Sequence, residues 1–227
     1  MKHPSLAVVI PTLNEAKQIA AALQNVRATL PEAHIVVVDG GSNDGTIEMA
    51  MPLAHQVLAA PAGRARQMNA GCAAMTHVPD YWLFLHADTE LPANAQAALG
   101  QAFDQGAMWG RFDVRITGQS RLLPVVAWLM NWRSRLSGIA TGDQAIFVRH
   151  DAWVKLGGFP DQPLMEDVEL SRRLRQLARP ICLSERVMTS GRRWESRGLW
   201  RTIFLMWRLR YRYWRGHSAE ELARLYR

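Results

Sequence analysis

A chain of 227 residues with 48% hydrophobic content can bury one sizeable core, and its length suits one large domain better than two small ones. Its net charge of +7 and pI near 10.1 select anionic partners: nucleotide phosphates, nucleic acid or an acidic lipid surface. The two cysteines, Cys72 and Cys182, match no disulfide or zinc spacing and fit a reducing compartment, and no apolar run reaches the ~20 residues of a membrane span. Met1–Ser5 leads into a strand without a signal-type apolar segment, so a cytoplasmic location is expected.

In chain order, Leu6–Ile10 is an unbroken aliphatic strand ended by Pro11. Thr12 and Glu15 have capping-box spacing for a helix running to about Thr29. A second strand, Ile35–Val38, ends in Asp39-Gly40-Gly41-Ser42-Asn43-Asp44-Gly45-Thr46, where glycine permits a sharp turn and Ser42 or Asp44 can cap the next helix. No G-x-G-x-x-G opens the first helix, which excludes the dinucleotide fingerprint. After a short strand at Gln56–Leu58, a helix beginning near Gly63 carries Arg64 in its first turn and Gln67 or Met68 and Gly71 on the same face. Cations oppose the dipole there unless an anion offsets them.

The run Tyr81–Thr89 reads as a central strand buried on both faces, with His86 and Asp88 at the carboxyl end where open α/β sheets bind ligands. On an extended chain these two point to one side and can share a cation; Asp88 can equally cap the next helix. Ala93–Phe103 reads as a surface helix. Phe112, Val114 and Ile116 alternate with Arg111, Asp113 and Arg115 as in a half-buried strand. Leu122–Trp132 is either a core helix or a face against apolar material. Thr141-Gly142-Asp143-Gln144 leads into the strand Ala145–Val148, with Gly142 allowing close approach of a ligand and Asp143 either a site residue or a turn former. Gly157–Pro160 makes a turn, and Glu166, Asp167 and Glu169 open a helix whose start they suit electrostatically; one of them can also serve as a general base.

Val9-Ile10-Pro11-Thr12-Leu13-Asn14-Glu15, Val38-Asp39-Gly40-Gly41-Ser42 with Asp44-Gly45-Thr46, Asn69-Ala70-Gly71, His86-Ala87-Asp88 and Glu166-Asp167, in this order, resemble a family 2 glycosyltransferase of GT-A fold. The segments Gly63–Asn69, His86–Asp88 and Ser190–Trp194 resemble a subgroup found beside radical-enzyme genes and named for arsenosugar biosynthesis. The resemblance implies an α/β, Rossmann-like, mostly parallel sheet flanked by helices. Residues 1–195 would form the catalytic domain and residues 196–227 an amphipathic helical extension.

It further implies a UDP- or GDP-sugar donor held by Pro11, Thr12, Asn14, Glu15, Asp39, Gly41, Arg64, Gln67, Asn69, His86, Ala87, Gly142, Asp143 and Arg192. Asp39 would touch the base, and Asp88 with His86 would hold Mn²⁺ or Mg²⁺ on the diphosphate. Asp167, beside Glu166, would take the proton of an acceptor hydroxyl in one inverting displacement. The family's metal motif usually has Asp where His86 stands. The Q-x-x-R-W motif of processive relatives survives only as Arg193-Trp194, with Ser190 in place of Gln, so non-processive transfer is expected.

Two rival classes remain. A nucleotidyltransferase would carry a glycine-rich phosphate loop after the first strand, and Pro11–Glu15 has none. A basic nucleic-acid-binding module would lack ordered acids at strand ends, so no nucleic acid is expected; a non-catalytic membrane-binding module would show no turnover. On a helical wheel Trp200, Ile203, Phe204, Trp207, Tyr211 and Trp214 form an aromatic stripe beside a basic one of Arg201, Arg208, Arg212 and Arg215. This pattern fits either packing on the domain or peripheral binding to an anionic membrane at its inner face.

Overall fold

The computed structural model describes residues 4–226. In chain order come β1 (Leu6–Thr12), α1 (Ala16–Thr29), β2 (His34–Asp39), α2 (Thr46–Ala50), β3 (Gln56–Ala59) and α3 (Arg64–Ala73). Then follow β4 (Tyr81–Phe84), β5 (Thr89–Glu90), α4 (Ala95–Asp104), β6 (Trp109–Thr117) and α5 (Leu123–Ser137). A single 3-10 turn at Gly142–Gln144 precedes β7 (Ile146–Arg149), α6 (His150–Leu156), α7 (Glu166–Leu177) and β8 (Ile181–Ser190). Three helices end the described chain: α8 (Arg192–Arg197), α9 (Leu199–Trp214) and α10 (Ala219–Tyr226).

The strands form one sheet in the order β3-β2-β1-β4-β7-β6-β8-β5. The pairs β1 with β2 and β4, β2 with β3, and β6 with β8 are parallel, whereas β7 and β5 run against their neighbours. Successive side chains of a strand face opposite ways, so a continuous apolar run must be buried on both sides. Val8, Ile10, Ile35, Val37 and Leu83 enter one core with Ile19, Leu23 and Val26 of α1 and Leu99 of α4. Val9, Val36, Val38, Trp82 and Phe84 enter the other with Met68 of α3, Trp153 of α6 and Leu170 and Leu174 of α7.

Several local expectations change. Thr12 does not cap α1: it is the last residue of β1, and its hydroxyl donates to Asp39 Oδ1 at 3.2 Å. The free amides at the start of α1 are met from the next loop, by Thr46 Oγ1 accepting from Glu15 at 2.9 Å and Asp44 Oδ2 accepting from Ala16 at 3.1 Å. Two βα loops are thereby tied together. The run ending at Asp88 is not extended throughout; β4 stops at Phe84, and Ala87–Asp88 is a turn before β5. On β6 the alternation is present, with Arg115 exposed, but the rest of its polar face is covered: Arg111 is fully buried, donating to Asp113, Ser134 Oγ and Asn131 O. A buried guanidinium is costly unless its donors are met, and here α5 and β6 meet them.

α3 lies against β1 and β2 at Gly71, where an added Cβ would come 2.6 Å from Val9 Cγ1 and 2.9 Å from Val38 Cγ2. Gly71→Ala therefore forces α3 outward and is expected to cost about 1–3 kcal/mol, read as a lower denaturant midpoint. An unchanged midpoint would show that the contact between α3 and the sheet is loose.

Candidate active site

The carboxyl ends of β1 and β4, the 3-10 turn and the start of α7 open on a cleft of about 650 Å³, a size usual for small-ligand sites. Pro11, Thr12, Glu15, Arg64, Gln67, His86, Ala87, Asp88, Gly142, Asp143, Glu166, Asp167 and Arg192 line it together, although they come from six separate segments of the chain. Asn14, Asp39, Gly41 and Asn69 lie outside its lining and shape the loops behind it.

Asp39 sits at the end of β2, 1% exposed. Its carboxylate accepts from the amides of Gly41 and Ser42 at 2.8 and 2.7 Å and from the hydroxyls of Ser42 and Thr12. Burial alone would raise its pKa, but the Ser42 hydroxyl and amide, Gly41 and Thr12 outweigh it and hold the carboxyl below its ordinary value. Asn14, in the left-handed region at φ 55°, accepts from Asn43 N–H through Oδ1, and its backbone N–H donates to Ser42 Oγ. Asn69 clasps both backbone groups of Phe159 at 2.9 Å. Gln67, from α3, donates to the carbonyls of Thr12 and Val38, each at 2.8 Å. These amides fix the strand ends from which the cleft is built.

Across that floor, Arg192 at the start of α8 donates to Glu15 Oε2 at 3.2 Å and lies 3.6 Å from Asp88 Oδ2. His86 turns Nδ1 toward Asp143 Oδ1 at 3.3 Å, and its Nε2 lies so near Gly142 that a Cβ there would be 2.5 Å away. Gly142 is thus obligatory for the imidazole to lie under the 3-10 turn. Among the described residues no three His, Cys, Asp or Glu side chains gather as a metal cage. The half-buried carboxylate of Asp88 can contribute one oxygen ligand, so a cation here would need the rest of its shell from a bound ligand and water.

Met165, also left-handed at φ 64°, delivers Glu166 and Asp167 to the first turn of α7. Glu166 is buried at 4% exposure and pairs with Arg64 at 3.4 Å. Burial, then the charge of Asp167, raises its carboxyl above the ordinary range against the pull of Arg64. Burial would lower the Arg64 guanidinium, yet Glu166, Asp167, Asp143 and Asp88 hold it above its usual value. Asp167 accepts from Gly142 N–H at 2.8 Å through Oδ2 and from Val168 N–H at 2.7 Å through Oδ1. Backbone donors from two elements therefore aim this carboxylate into the cleft.

The lining also includes residues that sequence reasoning did not select: Thr202, Met206 and Arg210 of α9 and Tyr226 of α10. Their signal was legible as i, i+4, i+8 spacing on α9, but the aromatic stripe on another face of the same helix dominated. The final helices pack on the loop before α7 through Leu209 and Leu222 against Leu164 and Met165. Trp194 packs on the main core, while the Arg193 side chain lies outside the described residues.

A family model described as glycosyl transferase family 2 matches residues 7–156. The succinoglycan biosynthesis protein ExoA of Rhizobium meliloti (strain 1021) is 48% identical over 54 residues, 23% of this chain and 16% of that protein. A mannosyltransferase from Pyrobaculum calidifontis, solved with GDP-Man and Mn²⁺, superposes with a TM-score of 0.66 at 21% identity, covering 93% of this chain and 61% of that one. Residues 1–349 of S. aureus TarS give 0.64 at 16% identity, covering 82% and 60%. This chain thus spans about three fifths of either structure and a small part of the curated relative.

Proposed function

The chain belongs to glycosyl transferase family 2 and has the GT-A fold, and from that premise we propose that it moves a sugar from a UDP- or GDP-sugar to an acceptor hydroxyl with inversion, without processivity. The observation that carries this reading is a single cleft that Asp167, Asp88, Arg64 and Arg192 line together. A base and a set of diphosphate-binding groups must flank the anomeric carbon for in-line displacement.

In that displacement Asp167 takes the acceptor's proton as the hydroxyl oxygen bonds to the anomeric carbon. The bond from that carbon to the diphosphate oxygen breaks, and the electron pair leaves with the nucleoside diphosphate. Arg64 and Arg192 stabilise the charge where it grows, since fixed charges in a cleft need little reorganisation. Glu166 holds Arg64 in place, and Gln67, Asn14 and Asp39 hold the loops against which the base and ribose would lie. Asp88 would hold Mn²⁺ or Mg²⁺ with diphosphate oxygens, and the bound ion would add positive charge beside the leaving group. His86, with its nitrogens turned to Asp143 and Gly142, supports the turn that presents an amide to Asp167. The segments behind the narrower likeness to the arsenosugar subgroup contribute Arg64, Gln67, His86, Asp88 and Arg192 to the cleft, which is consistent with that placement.

The discriminating experiment incubates the protein with a panel of UDP- and GDP-sugars, Mn²⁺ and a mixture of hydroxyl acceptors, with water as the acceptor in the control. Release of nucleoside diphosphate is expected from one of them. Formation of nucleoside triphosphate when pyrophosphate is added would instead establish a nucleotidyltransferase.

Peripheral membrane binding completes the proposal. Trp200, Phe204, Trp207, Tyr211 and Trp214 of α9 and Val125, Trp128, Leu129, Trp132 and Leu136 of α5 all stay exposed, with Arg201 and Arg208 beside them. No helix among the described residues is long and apolar enough to cross a membrane. Exposed tryptophans flanked by arginines suit the headgroup layer of an anionic leaflet. Cosedimentation with vesicles containing phosphatidylserine should weaken with salt and on replacing Arg208 and Arg212 by Glu. Equal pelleting with neutral vesicles would rule out the electrostatic part.

A further inference from the structure

Two cationic side chains lie within the field of the proposed base. Arg210 of α9 lines the cleft with Asp167, and the charges of Asp167 and Asp143 act on it. Arg133 of α5 lies within the fields of Arg210 and Asp167. Its Nη2 is buried and donates to nothing, the single such side-chain nitrogen or oxygen among the described residues. Asp167 does not answer it: its two oxygens accept the Gly142 and Val168 N–H groups, and Arg133 Nη2 makes no hydrogen bond to them.

A buried guanidinium nitrogen without an acceptor is costly, and a second guanidinium close by adds repulsion. Burial, followed by the charge of Arg210, lowers the Arg133 guanidinium to about 9, and burial lowers Arg210. Arginine otherwise stays charged far above neutrality. Arg133 Nη2 therefore lacks an acceptor beside Arg210, which itself lines the cleft, and an anion bound at Arg210 would bring negative charge to both.

Resting on the assignment of Asp167 as the base, we infer that Arg210, reinforced by the field of Arg133, forms an anion subsite for the acceptor. The acceptor is accordingly a hydroxyl compound bearing a carboxylate or phosphate a few bonds from its nucleophilic oxygen. When it binds, its anion supplies the missing counter-charge and its hydroxyl comes to rest against Asp167. Arg210 is the contact, and Arg133 is a positioning charge.

The test is a calorimetric titration of glycerol 3-phosphate, glycerate and neutral glycerol into protein already saturated with nucleoside diphosphate and Mn²⁺, so that the donor's phosphate groups are occupied. Saturable binding of glycerol 3-phosphate or glycerate, but not glycerol, is expected; which of the two binds identifies the anion. Arg210→Gln should weaken it at least tenfold and Arg133→Met several-fold. Arg133→Met should also melt at or above the wild-type temperature, because an unpartnered charge disappears; a structural arginine would lower it. Glycerol binding as well as the anions, undiminished anion binding by Arg210→Gln, or a lowered melting temperature for Arg133→Met would overturn the subsite. Nucleotide saturation is read first, so failure of the donor reading shows there and failure of the subsite shows only in the second titration.

Discussion

Asp167→Asn should lower nucleoside diphosphate release by about 10² or more while nucleotide affinity stays within a few-fold of wild type. A positioned general base contributes roughly 10²–10⁴ in rate, and the amide removes the basic lone pair without altering the phosphate-binding side of the cleft. The geometry adds a stability cost. Gly142 N–H and Val168 N–H each donate to one carboxylate oxygen, so an amide nitrogen placed at either position confronts a donor. Leaving one such donor unpaired costs about 1–3 kcal/mol. The release rate, the nucleotide affinity and the melting temperature must therefore be measured on the same preparation. A folded variant with near-normal release would remove Asp167 from the mechanism.

The second large effect is expected at Asp88. With one carboxylate in reach and no cage of three among the described residues, an ion depends on the nucleotide's own oxygens. Affinity for Mn²⁺ alone should be weak, and affinity in the presence of nucleoside diphosphate much stronger. Asp88→Ala should abolish the part of nucleotide binding that chelator removes from wild type. What remains should rest on Arg192, which Asp88 and Glu15 otherwise hold at the cleft floor. His86→Ala should leave the ion dependence unchanged, because the imidazole nitrogens face Asp143 and Gly142. Loss of ion dependence in that variant would put His86 in the ligand set; undiminished binding by Asp88→Ala in chelator would remove the ion from this strand end altogether.

What was legible in the sequence was whatever depends on a residue's neighbours along the chain. The doubly apolar runs at Val8–Ile10, Ile35–Val38 and Leu83–Phe84 announce strands covered on both faces, and the spacing of acids and glycines at their ends places the cleft. What depends on partners distant in sequence was hidden. The amides at the start of α1 are met by Asp44 and Thr46, so Thr12 had the spacing of a cap and the place of a strand residue. β5 has two residues and exists because β8 pairs with it. Arg111 and Asp113 have the alternation of a solvent face, yet Asn131 and Ser134 of α5 cover them. Arg210 shares a helix with an exposed aromatic stripe, and only the packing of Leu209 against Leu164 and Met165 shows which way its face turns.

The most direct measurement is calorimetric titration of UDP and GDP into the wild-type chain with Mn²⁺, with Mg²⁺ and with chelator. One nucleotide should bind at one site per chain, more tightly with an ion than without. Absence of saturable binding by both, in all three conditions, would contradict a nucleotide-sugar donor in this cleft.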